Sequence, residues 1–393
     1  MGRRASTQKS PRRACIVRQG GYDLLVCREA QALRDDGLEV DVICQVTSRH
    51  KIEETIDGVH VCGLPVIFKR GGSVSYIVGY VRFFILVAFQ LTAFHLKHPY
   101  SLVQVNTLPD FLVFATLIPR LLGARVGLVM YEPMPELWAT LHGNSFAVKL
   151  FEVLQRLAIG YAHVVFAVTQ QQKDTFVARG ADEGKIIVVL NVPDARIWEE
   201  SMPETPVETS YFTLICHGRI EERYGHDTML EAVKRVSPQI PNLRLRILGK
   251  GSYVDRFLEL IGEMGLESTV QYLGFVPIPQ MVEELYNADV GIVAQKSSAY
   301  SNLVHTGKMY DFLAFGKPVL ASRLNAVRAY FGEDALRFFE PGDPESLAEA
   351  ILDLYQHPDR RQILIENSQR LYDKYRWEKQ KDVYLSGYRR LLG

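Results

Sequence analysis

The chain lacks any excess of charge: among its 393 residues, lysine plus arginine and aspartate plus glutamate each number 45. A neutral chain projects no long-range field toward a polyanion, so nucleic acid is not expected as a partner. Cysteine is scarce and odd in number, at positions 15, 27, 44, 62 and 216, never in C-x-x-C spacing. That argues against a disulfide framework and for reduced thiols in a cytoplasmic protein. There is no G-x-G-x-x-G, no Walker lysine loop and no pair of aspartates two apart. The last absence removes a common carboxylate clamp for a divalent cation, so neither a metal nor another cofactor is expected. Residues 1–13 carry Arg3, Arg4, Lys9, Arg12 and Arg13 with no apolar stretch among them, and so lack the hydrophobic region of a secretory signal. They read either as a disordered basic tail or as an electrostatic tether to anionic lipid. Residues 76–96 are the most apolar stretch, but Arg82 and Gln90 interrupt it. A central arginine costs roughly 2.5–3.5 kcal/mol in a spanning helix, so the segment reads as a buried helix or one lying in a membrane interface.

What is present is alternation. Apolar runs at 14–18, 38–44, 101–105, 125–130, 163–168 and 185–190 are separated by longer segments of helical period such as 24–36 and 108–122. This pattern predicts a parallel sheet with helices on both faces. Residues 193–210, with Pro193, Pro203 and Pro206, read as a linker. Strand-like runs then resume at 211–216, 243–248, 269–273, 289–293 and 318–321. The fold class is therefore α/β, with two Rossmann-like doubly wound domains facing across a cleft at the carboxyl ends of their sheets. The boundaries are a tail at 1–13, a first domain at 14–200, a second at 201–375, and a final helix at 376–393 whose Trp377, Tyr384, Tyr388 and Leu391 share one face.

Two segments suit phosphate. Cys216-His-Gly-Arg-Ile-Glu-Glu-Arg-Tyr-Gly225 puts a glycine turn, Gly218, straight after an apolar strand and delivers Arg219 and Arg223 to the start of a helix. Thr306, Gly307 and Lys308 open a second helical run that includes Asp311 and closes at Gly316 and Pro318. Helix N-termini present unpaired N–H groups and partial positive charge, and cations beside them favour a diphosphate. Each feature has a plainer alternative: the arginines as surface partners of Glu221 and Glu222, Lys308 and Asp311 as ordinary exposed residues. Gly20-Gly21, after the first strand, marks either a close backbone approach to a ligand or a simple turn. Tyr131-Glu132-Pro-Met-Pro-Glu136 brings two carboxylates to the cleft side of the first domain, as substrate groups or as helix caps.

Taken together with Arg28–Gly37, Val105–Phe114, Asn191-Val-Pro-Asp194, Leu248-Gly-Lys-Gly251 and Leu273-Gly-Phe-Val276, these residues resemble glycosyltransferase family 4, retaining and metal-independent sugar-nucleotide transferases of the GT-B fold, over nearly the whole chain. The resemblance implies a donor of UDP or GDP type and a glycan or lipid-linked acceptor in bacterial surface polysaccharide synthesis. It implies that Arg219 and Arg223 hold the donor diphosphate, with Tyr224 standing where relatives have lysine. Asp311 matches the second glutamate of the family's Glu, seven residues, Glu pattern, which receives the ribose hydroxyls; the first position is Leu303. Gly307 would present backbone N–H to the sugar, and Phe275 and Val276, after Gly274, would touch the base. Tyr131 and Glu132 stand where relatives often carry His-Asp, so Glu132 is the catalytic candidate of the first domain. Two other readings keep the fold: a sugar-nucleotide 2-epimerase, and a catalytically silent scaffold suggested by Leu303, Asp311, Tyr224 and Tyr131.

Overall fold

The computed structural model describes residues 12–46, 52–66, 72–143, 146–199, 201–204 and 210–393, with the side chains of 72–77 and 199 left aside. Arg3, Arg4 and Lys9 lie outside the described residues, as does much of the expected linker. Contacts divide the chain into unit 1, residues 1–190 with 380–393, and unit 2, residues 191–379. The division falls earlier than the expected 200/201 boundary because residues 192–198 pack rather than hang loose. Asp194 is buried against Arg196 at 2.6 Å, and Trp198 is buried with its ring 6.4 Å from that of Phe315. The last boundary falls inside the helix Trp377–Leu392, at Lys379/Gln380.

Unit 1 holds eight strands: β1 (Arg13–Arg18), β2 (Glu39–Gln45), β3 (Glu53–Ile56), β4 (Val59–Leu64), β5 (Leu102–Asn106), β6 (Arg125–Met130), β7 (Val164–Ala167) and β8 (Ile186–Val188). Their order is β3-β4-β2-β1-β5-β6-β7-β8, parallel except for the β3–β4 hairpin. Unit 2 holds β9 (Phe212–Arg219), β10 (Leu243–Lys250), β11 (Val270–Gly274), β12 (Val290–Val293), β13 (Val319–Ser322) and β14 (Arg337–Phe339), in the order β11-β10-β9-β12-β13-β14, all parallel. Both sheets reverse direction of growth once, between β1 and β5 in unit 1 and between β9 and β12 in unit 2. Such switch points open a crevice at the carboxyl ends of the strands, where ligands bind in this class of sheet.

Two expectations need correction. Arg13, assigned to a disordered tail, is the first residue of β1, and its guanidinium is 2.9 Å from buried Asp41, which also accepts from the Tyr100 hydroxyl at 2.6 Å. The 108–122 segment is not one helix. A 3₁₀ stretch, Asp110–Thr116, precedes a short helix, Leu117–Leu121, and Pro119 has no N–H to extend the helical ladder backward.

The long helix Gly72–Lys97 turns Phe83, Val87, Leu91 and His95 inward at intervals of four, all buried. Its opposite side is also apolar, with Val78, Val81, Ile85, Phe89 and Leu96 exposed. Only 28% of the stretch Val78–Lys97 is buried, though by length and composition it could cross a bilayer.

Within unit 1 the last helix is fastened by a fully buried glutamine. The Gln104 side-chain oxygen accepts from the hydroxyls of Tyr384 at 2.5 Å and Tyr388 at 2.6 Å, while its nitrogen donates to Glu29 and Asn106, both at 2.7 Å. Gly127 leaves the room: a Cβ there would stand 2.5 Å from the Tyr388 hydroxyl oxygen. Replacing Gln104 with leucine would leave two hydroxyls and a carboxyl without this partner. A loss of roughly 3–5 kcal/mol in stability is expected from urea unfolding, together with earlier proteolytic cleavage near the last helix.

Candidate active site

Unit 2 builds its site from backbone outward. The carboxyl ends of β9 and β10 lie in register, Gly218 beside Gly249 and Arg219 beside Lys250. The chains approach so closely that a Cβ on Gly249 would stand 1.7 Å from the Gly218 carbonyl oxygen, and one on Gly251 would stand 1.9 Å from that of Ile220. Gly218 has φ +101°, and its own Cβ position is 2.5 Å from Cε of Lys308. The lysine side chain therefore lies in the space a larger residue at 218 would fill.

After Arg219 the chain turns through Glu222–Tyr224 to the helix His226–Val236. Gly225 at the junction has φ +68°, and a Cβ there would stand 2.0 Å from the carbonyl oxygen of Ala294. Two cations lie at the Tyr224 ring: the Arg223 guanidinium carbon is 4.9 Å from its centroid and Lys308 Nζ 4.4 Å. Arg219 is exposed, and among the described residues neither Arg219 nor Arg223 is ion-paired with Glu221 or Glu222. Glu221 instead engages the Ser252 hydroxyl. Burial, chiefly, and Arg223 lower the Lys308 pKa, against the opposing influence of Cys216 and Asp311.

Behind this row, Lys308 begins the helix Lys308–Ala314, and its N–H reaches the Thr306 hydroxyl at 3.4 Å. Gly307 precedes it; a Cβ there would be 3.2 Å from the Asn191 carbonyl oxygen. Asp311 lies on the buried side of the helix, with Oδ2 3.3 Å from Nε2 of His217. Burial first, then Lys308, pushes His217 down to about 3, so the imidazole is neutral near pH 7. Gly218, Arg219, Arg223, Tyr224, Gly307, Lys308 and Asp311 thus belong to one cluster at the switch point between β9 and β12. Phe275 and Val276 lie on the next rim, after β11; Phe275 is exposed, and Lys250 Nζ is 4.5 Å from its ring centroid.

Gly20, Gly21 and Glu132 belong to unit 1, after the carboxyl ends of β1 and β6. Gly20 has φ +132°, and its carbonyl accepts from the Gln45 N–H at 2.7 Å. Tyr131 is buried and donates to Glu29, with the Arg18 guanidinium 5.2 Å from its ring. Glu136 is bound to Arg179, so the structure gives this carboxylate an internal partner. Asp110, after β5, is 4% exposed, and among the described residues neither carboxyl oxygen has a hydrogen-bond partner. Burial, and secondarily Glu136, holds its pKa up at about 7. Among the described residues no group of three or more His, Cys, Asp or Glu side chains is arranged to hold a metal.

Comparison with known families decides the affiliation. Residues 20–191 match a glycosyl transferase 4-like domain, and residues 198–371 match glycosyl transferases group 1. The chain belongs to the group 1 glycosyltransferases. A D-inositol 3-phosphate glycosyltransferase of Corynebacterium urealyticum is 25% identical over 182 residues, 44% of this chain and 42% of that protein. The curated relatives are matched over 14% to 46% of their own length, so the chain spans less than half of each. In fold it matches sucrose-phosphate synthase from Thermosynechococcus elongatus, with TM-score 0.76, 17% identity, and coverage of 97% of this chain and 99% of that one. Anabaena HepE, solved in complex with UDP-glucose, gives TM-score 0.70 at 16% identity, covering 96% and 99%. The chain therefore has the GT-B fold, as its family resemblance implies.

Three residues escaped the sequence reading. Lys250 sits inside the resemblance motif Leu248-Gly-Lys-Gly251, which by itself assigns it no role, and its pairing with Arg219 depends on strand register. His217 precedes Gly218 and reads as strand. Asp110 follows a strand end, the one signal that could have found it.

The raised pKa of Asp110 fixes the sign of a pH effect. A carboxyl harder to ionise in the folded state carries no penalty below its ordinary value of 3.8, an increasing one between 3.8 and 7, and the full one above. Asp110→Asn, which cannot ionise, should gain stability over the parent at pH 7.5. That gain should shrink by about 1.4 kcal/mol per pH unit as pH falls from 7 toward 4, measured by urea unfolding.

Proposed function

We propose that the chain is a retaining, metal-independent glycosyltransferase that moves a sugar from a UDP- or GDP-type nucleotide sugar to a glycan or lipid-linked acceptor in polysaccharide or glycoconjugate synthesis. The observation that carries this reading is the cation row at the β9–β12 switch point, with Arg223 and Lys308 at the Tyr224 ring and Lys250 in register beside Arg219. A diphosphate placed there meets fixed positive charge without a metal. In the proposed reaction the bond between the anomeric carbon and the donor phosphate breaks as the acceptor oxygen bonds to that carbon on the same face. The acceptor's proton passes to the departing phosphate oxygen. Negative charge grows on that phosphate, and preorganised cations stabilise it more than they stabilise the intact donor. Asp311, held near neutral His217, would receive the ribose hydroxyls, with Phe275 and Val276 beside the base. Glu132 is the catalytic candidate of unit 1, with Gly20 and Gly21 at the donor's approach.

The same reading sets the protein in the cytoplasm, peripheral on the inner face of a membrane. Support comes from the scarcity of cysteine and from the exposed apolar side of the helix Gly72–Lys97.

The test is thermal melting with UDP, GDP, ADP, dTDP and CMP, each with and without EDTA. A diphosphate at 100 times its dissociation constant adds about 2.7 kcal/mol. Stabilisation by one of them, unchanged by EDTA and lost in Arg219→Ala, is expected; no response to any nucleotide would favour the silent scaffold. Donor isomerisation without a glycosylated product would point to a 2-epimerase. Once the donor is known, Arg219→Ala should lower the transfer rate on the order of 100-fold while the far-UV circular dichroism stays as in the parent. Gly218→Ala, which displaces Lys308, should weaken binding of the same diphosphate about tenfold, read by titration calorimetry.

A further inference from the structure

Unit 1 contains a cavity of about 520 Å³ that none of the residues discussed for the donor occupies. It lies among the helix Gly72–Lys97, the segment 108–111 and the helices Met134–His142 and Phe146–Tyr161. Its volume falls in the range of about 300–1,000 Å³ typical of small-molecule sites. The walls are mostly apolar, including Phe111, Leu137, Phe151 and Leu154, with Tyr80, Trp138 and His142 adding polar atoms. The carboxylic acid in that lining is Asp110, buried and, among the described residues, without a hydrogen-bond partner on either oxygen. Leaving such a group unpaired in an apolar wall is costly, and a donor group on a bound molecule would relieve the cost.

The exterior points to the kind of molecule. Val81 and Leu141 line the cavity and are themselves 46% and 51% exposed. On the helix Phe146–Tyr161, Phe146 is 83% exposed, and Leu150, Val153 and Leu157 follow it on the exposed side. An apolar chain could pass from this surface into the cavity without leaving an apolar environment. A sugar would find Asp110, Tyr80, Trp138 and His142 but otherwise apolar walls, too few polar partners for a full ring of hydroxyls, and a helix of another protein would have to bury that carboxyl beside apolar side chains.

We propose that this cavity receives the apolar chain of a lipid-linked acceptor, with Asp110 accepting a hydrogen bond from a hydroxyl at the head of that chain. The assignment rests on the glycosyltransferase reading and narrows its acceptor to the lipid-linked class. Asp110 follows β5 at the unit 1 switch point, so the chain's head would lie at the carboxyl edge of the sheet, where Glu132 also stands.

The test uses the purified full chain and two probes, farnesol and its saturated hydrocarbon counterpart farnesane, in equilibrium dialysis. Farnesol should bind at one saturable site, at least tenfold more tightly than farnesane. Leu154→Trp, which fills the cavity, should weaken farnesol at least tenfold. Asp110→Leu, close in size and free of overpacking, should bind the two probes equally. Binding that does not saturate, or that neither variant changes, overturns the proposal. So does a dimer in sedimentation that Leu154→Trp disperses, which would give the cavity to a second copy. Adsorption to anionic vesicles with no farnesol site would leave the face a membrane surface only and overturn the proposal too. Nucleotide melting on the same preparations separates the two readings. Farnesol binding without a nucleotide response upholds the chain site and strikes down the transferase reading; a nucleotide response without farnesol binding overturns the cavity assignment alone.

Discussion

The close approach of two strand ends governs the chemistry of unit 2. Where β9 and β10 run out, Gly249 and Gly251 bring one backbone against the carbonyls of Gly218 and Ile220 at distances that no side chain tolerates. That contact fixes where Arg219 and Lys250 emerge, and Gly218 then leaves the space into which Lys308 reaches from another part of the sequence. The cations owe their positions to missing atoms. Tyr224 adds its ring, with both Arg223 and Lys308 within cation–π distance of it in a partly buried site.

Burial divides the carboxyl groups by role. Glu29 is enclosed by Gln104, Asn106 and Tyr131, and burial raises its pKa. Glu136 has Arg179, and Asp41 has Arg13 and Tyr100. These groups hold unit 1 together. Asp110 differs in having no such partner, which is why it stands out as a binding group rather than a structural one. Tyr131 shows the converse. At a position where the family resemblance implies a residue beside the reacting sugar, this chain has a side chain turned inward and committed to the network around Glu29.

Much of this was readable from sequence because parallel sheets buried on both faces demand continuous apolar strands, and those runs are hard to mistake. One buried strand still escaped, Val59–Leu64, whose apolar run is broken by His60 and Gly63; the other two that were missed carry no such demand. Glu53–Ile56 is a short, polar edge strand, detectable only through the Asp57-Gly58 turn that joins it to β4, and Arg337–Phe339 is too short for any period to show. The arginines and the helix at 308 were visible as motifs because glycine turns mark them. Their assembly was not, since it depends on register between β9 and β10 and on one side chain lying over a glycine. His217 and Asp110 were hidden for the same reason: their character comes from burial, which periodicity reports for apolar residues and not for an isolated histidine or aspartate.

The helix Gly72–Lys97 is apolar on the side facing the core and on the side facing away. Its consequence is colloidal. The chain has no net formal charge and a sequence pI of about 7.1, so near neutral pH there is little repulsion to keep such faces apart. Handled in plain buffer at that pH, the protein will be at its solubility minimum, and a shift of pH or a mild detergent will do more to keep it dispersed than any change within its folded core.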